Sequence, residues 1–138
     1  MNPTVKYILA ILAGIIIGGV VNGIIISISA SVIPPPEGAN LTTMEGLKAS
    51  MSLMEPKHFL MPFLAHALGT LVGAILASYI AGDNKLRAAL IVGFFFFLGG
   101  FANIIMLPSP LWFSFVDLLG AYLPMAWIGY KIGEKISI

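Results

Sequence analysis

Residues 5–33 read VKYILAILAGIIIGGVVNGIIISISASVI, and this stretch decides the fold class. Its only charged side chain is Lys6, near the start. A helix needs about 20 predominantly apolar residues to cross the hydrocarbon core of a bilayer, and this run exceeds that length. It is also longer than the apolar core of a signal peptide, which has about 7–15 residues. We therefore expect a retained first transmembrane helix.

The rest of the chain repeats this pattern. Of the 138 residues, 59% are hydrophobic and 9% are charged, and the mean hydropathy is +1.00. A soluble domain of this length could not bury so much apolar surface. Three further apolar runs cover about 59–81, 86–107 and 111–132. The sequence predicts an all-α membrane protein, with one domain over 1–138 and four transmembrane helices in a compact bundle.

Composition also excludes several classes of function. The net charge of +1 provides no basic surface, so nucleic acid is not an expected partner. The absence of cysteine excludes disulfides, thiol redox chemistry and thiolate metal sites. No EF-hand or HExxH pattern is present, so we expect neither a metal nor a cofactor.

Basic residues predict the orientation in the membrane. Five of the seven would lie on one side of a four-helix bundle: Lys6, Lys85, Arg87, Lys131 and Lys135. Lys48 and Lys57 would lie on the other side. Because cytoplasmic loops carry an excess of Lys and Arg, both termini are predicted to be cytoplasmic.

The long connection over 34–57 would then face outward, and it has helical features of its own. Thr42 followed by Glu45 has the pattern of a capping box. A short amphipathic helix is predicted over about 43–54, and its apolar face has 3-4-3 spacing: Met44, Leu47, Met51 and Met54. We favour a helix that rests on lipid. The alternative is a lid over the mouth of the bundle, in which the methionines make adaptable contacts.

Each predicted transmembrane helix contributes one strongly polar residue, and all four lie in the half nearer the 34–57 connection: Asn22, His66, Asn103 and Asp117. Asp117 would be about 9 Å deep at a rise of 1.5 Å per residue. A charged residue within a membrane helix costs about 2.5–3.5 kcal/mol on insertion scales, so it usually faces protein or water. We therefore predict a buried polar layer in which Asp117 bonds directly, or through one water, to at least one of the other three. His66 is the preferred partner.

Small residues at four-residue spacing place these polar groups on or beside helix-packing faces. Thr70 and Ser114 accompany His66 and Asp117 on their faces, and Pro124 predicts a kink just below Asp117. Asn22 and Asn103, taken alone, are best interpreted as interhelical hydrogen-bonding groups. We interpret Asp117, and with less weight His66, as functional because intramembrane carboxylates are rare.

Four segments carry a resemblance to a known group of proteins. They read PPPEG at 34–38, AHALGTLVG at 65–73, GGFANIIMLPSPLWF at 99–113 and FVDLLGAYLPMAW at 115–127. In arrangement the chain resembles a widespread family of small four-helix bacterial integral membrane proteins of unknown function. The resemblance implies a multi-pass protein of the bacterial cytoplasmic (inner) membrane, and it implies no activity.

Three hypotheses about function follow. The favoured one is a small non-enzymatic membrane protein, an accessory or small-ligand or lipid-binding subunit whose polar layer is either an internal network or a small-ligand pocket. The alternative is a small oligomeric transporter or channel with proton coupling at Asp117 and His66. An intramembrane enzyme acting on lipid is weakest, because no nucleophile motif or phosphate-binding loop accompanies the pair. Membrane lipid is the expected partner, and a homo-oligomer or a larger membrane complex remains open.

Overall fold

The computed structural model describes residues 1–137, and within that range it contains helices, turns and irregular segments but no strand. The α-helices are α1 (Pro3–Val32), α2 (Met44–Ser50), α3 (Leu60–Ile80), α4 (Lys85–Met106), α5 (Leu111–Gly120) and α6 (Leu123–Ile136). Short 3-10 helices cover Met51–Leu53, Pro56–Phe59 and Gly82–Asn84.

Four helical stretches are long and apolar enough to cross a membrane: Pro3–Val32, Pro56–Ile80, Gly82–Met106 and Leu111–Ile136. The prediction of an all-helical chain with four long apolar segments is therefore confirmed for residues 1–137. These four stretches indicate a membrane protein.

The fourth stretch differs from its prediction, because it is two helices rather than one. α5 ends at Gly120 and α6 begins at Leu123, with Tyr122 at φ −116° and ψ −80° between them. Pro124 occupies the second position of α6, where its missing N–H costs no helical hydrogen bond. The predicted kink is therefore a complete interruption of the helix.

The helix in the long connection is also shorter than predicted. α2 covers seven residues and is followed by a 3-10 turn, so the regular helix stops at Ser50 rather than near Met54. The predicted capping box at Thr42 and Glu45 is wrong. Thr43 is the N-cap, and its hydroxyl accepts from the N–H of Gly46 at 2.9 Å. The hydroxyl of Thr42 instead donates to Oδ1 of Asn40.

α3 lies at the centre of the bundle and packs against α1, α4 and α6. A methyl group built on Gly14 would lie 2.6 Å from the carbonyl oxygen of Gly73, and one on Gly18 would lie 2.6 Å from that of Gly69. Rising residue numbers on α1 thus meet falling numbers on α3, so the two helices are antiparallel. Close approach of their backbones requires glycine at these four positions.

The same connectivity gives the bundle two distinct ends. The connector end carries the 33–59 connection and the 107–110 turn. The terminal end carries the N-terminus, the Gly82–Asn84 turn and the end of α6. At the terminal end, Gly82 follows α3 with φ +73°, a conformation that a side chain disfavours.

The FFFF run at 94–97 is divided between the outer side of α4 and its packed side. Phe94 and Phe95 are about half exposed, whereas Phe96 and Phe97 are half-buried among neighbouring helices. This division fits the 100° step of a helix, which cannot turn four successive rings toward one core.

Candidate functional site

Three polar side chains from α3, α5 and the α5–α6 break form one hydrogen-bonded group. His66 Nδ1 lies 2.7 Å from Asp117 Oδ1, and the hydroxyl of Tyr122 donates to Asp117 Oδ2 at 3.0 Å. Asp117 is 3% exposed and Tyr122 is 2% exposed, so the carboxylate is enclosed by protein. The direct bond predicted between Asp117 and His66 is therefore present.

The break between α5 and α6 explains why Tyr122 reaches Asp117. Five residues along a regular helix correspond to a rotation of about 140°, which would direct the two side chains away from each other. The irregular backbone at Tyr122 removes that constraint. Gly100 on α4 provides the space, because a methyl group built there would overlap the Tyr122 hydroxyl and ring.

These groups lie at one side of a cavity of about 400 Å³ at the connector end. α1, α3, α4 and α5 all contribute to its walls, which are mainly apolar. The polar or titratable side chains that line it are Ser29, His58, His66, Asn103, Ser109, Ser114 and Asp117. A mostly apolar cavity with a few converging polar groups is the usual form of a small-molecule site.

The predicted lid residues divide into two groups. Leu47, Met51 and Met54 line the cavity and are half-buried, so the connection forms part of its wall. Met44 is 47% exposed and does not line the cavity. The connection is held in this position partly by Ser50, a buried side chain whose hydroxyl accepts from the N–H of Asn40 at 2.9 Å.

The two asparagines of the predicted polar layer lie apart from the acid. Asn103 lines the cavity but is exposed, and among residues 1–137 no hydrogen bond joins it to Asp117. Asn22 is half-buried at the α1–α3 contact, where its Cβ lies 3.0 Å from a methyl group built on Gly69. The layer is thus a compact group around Asp117 rather than a ring of four residues.

The secondary candidates have separate positions. Ser114 is 8% exposed and lines the cavity one helical turn from Asp117. Thr70 is buried, and its hydroxyl donates to the backbone oxygen of His66 at 2.8 Å, so its hydrogen bond lies within α3. Pro124 is exposed and acts through the helix break rather than through the cavity.

Sequence reasoning missed Tyr122 and His58. The position of Tyr122 depends on the helix break, for which Pro124 was the only signal. His58 lines the cavity, and its Nδ1 accepts from the N–H of Glu55 at 2.8 Å. Glu55 followed by Pro56 and, three residues on, His58 is a local capping pattern that could have been recognised.

The hydrogen bonds determine the chemistry that each histidine can offer. An ionised carboxylate only accepts, so the Nδ1 of His66 carries the proton and its Nε2 has a free lone pair when the ring is neutral. His58 is the reverse, because its Nδ1 accepts from a backbone N–H and Nε2 carries the proton. His66 can therefore accept a proton or a hydrogen bond.

The comparisons with known proteins give no relative. No protein-family model, curated protein or solved structure matches the chain. The resemblance to small four-helix bacterial membrane proteins therefore stays a prediction, and function has to be argued from the cavity and its side chains.

Proposed function

We propose that this chain is a small non-enzymatic integral membrane protein that binds a small amphiphilic ligand or lipid, as a binding or accessory subunit. One observation carries the proposal: the 400 Å³ cavity places the His66–Asp117 pair beside a mainly apolar wall. Its volume lies within the range of about 300–1,000 Å³ that is typical of ligand pockets.

Burial of the acid supports binding rather than simple structural glue. Interhelical hydrogen bonds contribute about 1 kcal/mol each, whereas a charged residue within a membrane helix costs about 2.5–3.5 kcal/mol, so two such bonds do not by themselves offset the cost of the carboxylate. Here Asp117 also fixes the tautomer of His66, which lines the cavity, so its position gives the second ring nitrogen a defined role.

A lipid-facing exterior fits the same proposal. α1 leaves most of its length unburied, and large apolar side chains cover the outer faces of α1 and α4. Membrane lipid is the partner that such surfaces favour, and further copies of the chain or other membrane subunits would also fit them. We place the protein in the bacterial cytoplasmic membrane with both termini cytoplasmic, on the excess of basic residues at the terminal end.

A variant that fills the cavity tests the proposal directly. The protein is purified in mild detergent, and the retained amphiphiles are quantified by mass spectrometry. We expect wild type to retain about one per chain and Ser114→Phe to lose it, because the new ring occupies the cavity. Ser27→Phe is the matched control, since Ser27 is exposed on α1 and lies outside the cavity. Equal retention by all three proteins would contradict the proposal.

Proton-coupled transport is the second candidate, and the hydrogen-bonded group of His66, Asp117 and Tyr122 favours it because such a group can hold and move a proton. Against it, two buried hydroxyls nearer the terminal end, Thr70 and Ser78, bond to the backbone of their own helix. They are therefore not free to relay protons. In liposomes with an internal pH dye, transport would show as ligand-dependent proton uptake that Asp117→Asn abolishes; binding alone would show none.

Catalysis has less support. Ser114 is the hydroxyl of the cavity nearest in sequence to Asp117, yet within residues 1–137 no hydrogen bond joins it to His66. A serine nucleophile needs its base within about 2.6–3.2 Å.

A further inference from the structure

The cavity opens sideways between α1 and α4. Ile26 and Ala30 on α1 and Asn103 on α4 line the cavity and are also exposed on the outside of the bundle. Residues that meet both the interior and the exterior mark an opening. The opening is confined to the connector half, because Gly14 and Gly18 on α1 pack closely against Val92 and Phe96 on α4 farther along.

The connection covers this cavity from the connector end. Leu47, Met51 and Met54 are half-buried in that part of the wall, whereas Pro35 and Leu41 line the cavity and are exposed. The connection therefore restricts access from the aqueous side without closing it. If the four long helices span a bilayer, the exposed side chains of Ile26 and Asn103 face acyl chains. A molecule dissolved in the bilayer would then reach the cavity by lateral diffusion.

The interior selects the polar group that such a molecule presents. Each oxygen of Asp117 already accepts one hydrogen bond, from His66 or from Tyr122, and the residue is only 3% exposed, so burial leaves a ligand little access to the carboxylate. Nε2 of His66 remains. Among the described residues it makes no hydrogen bond, and it is accessible rather than completely buried. When the ring is neutral and its proton is on Nδ1, Nε2 accepts a hydrogen bond, so a ligand that pairs with it donates one.

The charge of the cavity restricts the ligand further. Among the described residues that line it, the titratable groups are His58, His66 and Asp117, and there is no Lys or Arg. An anionic head group would place a second negative charge near Asp117 in a medium of low dielectric constant. An ammonium group would lose its hydration and gain little direct contact with the carboxylate, because Asp117 is almost completely buried. A neutral hydroxyl meets neither penalty.

We propose that the cavity binds a neutral amphiphile bearing a hydroxyl group, which enters laterally from the bilayer between α1 and α4 and donates its O–H to Nε2 of His66. Ser114 and Asn103 provide further polar contacts for the head, and the apolar wall takes the hydrocarbon chain. This proposal rests on the proposed ligand-binding function and specifies its ligand class.

Tryptophan quenching by brominated amphiphiles tests the class of ligand. Trp112 packs against Phe59 and Phe113, at ring-centroid distances of 5.7 Å and 5.9 Å, and both phenylalanines line the cavity. In a Trp127→Phe background, Trp112 is the single tryptophan of the full chain. The protein is placed in phosphatidylcholine nanodiscs and titrated with terminally brominated alkyl chains of equal length. The four head groups are hydroxyl, methyl ether, carboxylate and ammonium.

We expect saturable quenching by the alcohol, competed by the unbrominated alcohol, and binding of the ether and the carboxylate at least tenfold weaker. Tenfold corresponds to about 1.4 kcal/mol, the size of one net hydrogen bond. His66→Phe should remove the preference for alcohol over ether. His66→Gln should keep it, because the glutamine oxygen can accept in place of Nε2.

A matched pair of variants tests the route by which the ligand enters. Ile26→Trp would place a large ring in the opening, and Ile24→Trp would place the same ring elsewhere on the exposed surface of α1. Both are measured with an alkyl alcohol carrying an environment-sensitive fluorophore excited outside the tryptophan band, whose association is followed by stopped flow and compared with the unsubstituted chain. Ile26→Trp should slow association severalfold, and Ile24→Trp should not.

The outcomes separate the two proposals. Absence of saturable quenching by all four amphiphiles would overturn the ligand-binding function itself. Equal binding of alcohol and ether, or of alcohol and carboxylate, would leave that function standing and overturn the ligand class. Tighter binding of the ammonium form would replace the neutral ligand with a cationic one. Equal association rates for the two tryptophan variants would overturn lateral access.

Discussion

Asp117 accepts two hydrogen bonds from side chains that belong to different helices. The Nδ1 of His66 on α3 and the hydroxyl of Tyr122 at the start of α6 both direct their protons at it. Because the carboxylate is buried, either donor would be left without a partner if the acid were removed, and a stranded buried donor costs about 1–3 kcal/mol. One residue thereby couples three elements of the bundle.

Replacing Asp117 tests this coupling. Asp117→Leu should lower the free energy of unfolding by at least about 2 kcal/mol, since it strands both donors. Asp117→Asn should cost no more than about 1 kcal/mol, because its amide oxygen still accepts from His66. Its amide N–H can donate to the Tyr122 oxygen. Tyr122→Phe should cost about 1 kcal/mol, the value of a single bond.

The measurement is unfolding of the full chain in mixed micelles, followed by circular dichroism. Thr4→Val is a suitable control, because it also removes a hydroxyl, while Thr4 is exposed at the start of α1 and only its backbone N–H is hydrogen-bonded to a side chain among the described residues. If Asp117→Leu were as stable as wild type, the carboxylate would not join these elements, and its position in the site would have to be explained otherwise.

Sequence reasoning located part of this group and could not locate the rest. The depth of each residue in its predicted helix indicated that Asp117 and His66 are partners, because both lie about two helical turns from the connector end. Tyr122 was beyond that reasoning, since a continuous helix would turn it away from the acid. The proline indicated a kink, but its size, and hence the contact it permits, depends on packing against Gly100 of another helix.

At the scale of helices, glycine position determines which faces meet. Gly14 and Gly18 touch the backbone of α3, whereas Gly19 and Gly23 on the same helix face open space. Four-residue spacing of small residues could not decide between the two faces, because Gly19 and Gly23 have the same spacing as Gly14 and Gly18. The contacts with α3 and α4 separate them.

Two neighbouring glycines therefore give a sharp prediction. Gly18→Leu should destabilise the bundle by at least about 2 kcal/mol, because its Cβ alone would lie 2.6 Å from the Gly69 carbonyl oxygen and 2.9 Å from the Phe96 ring. Gly19→Leu should change stability by about 0.5 kcal/mol or less, since no atom lies within 4 Å of its Cβ. Unfolding in mixed micelles measures both. Equal destabilisation would mean that α1 packs on a different face.

The connection shows where local sequence signals fail. Thr42 and Thr43 are both suitable N-cap residues, and Glu45 favoured the first. The chain uses Thr43, because Asn40 accepts from the backbone N–H and the hydroxyl of Thr42, and so holds that residue in the preceding turn. Which threonine becomes the N-cap therefore depends on the contact with Asn40. That residue lies outside the capping motif, so the spacing of the motif gives no information about it.

For the whole molecule, the cavity lies at the connector end whichever way the chain is inserted. The orientation decides which compartment the covering connection faces. Five basic residues lie at or near the terminal end: Lys6, Lys85, Arg87, Lys131 and Lys135. Lys48 and Lys57 lie in the connection. The excess of five to two favours a cytoplasmic terminal end by the positive-inside rule.

Single cysteines test this orientation cleanly, because the chain has none of its own. Ser52 is exposed in the connection and Asn84 is exposed in the terminal-end turn, so each accepts a cysteine without disturbing the bundle. Ser50 is unsuitable because it is buried and bonded to Asn40. In intact cells, a membrane-impermeant maleimide should label Ser52→Cys and spare Asn84→Cys until the membrane is permeabilised.

The reverse pattern would put the connection in the cytoplasm and expose the covered end of the cavity to cytoplasmic partners instead. Labelling of both positions in intact cells would indicate a mixed population. In that case, adding two lysines to the terminal-end turn should restore one orientation, because the rule depends on the number of cations in short loops. A bias that responded in this way would show that the charge asymmetry, rather than the cavity or its cover, determines how the chain is inserted.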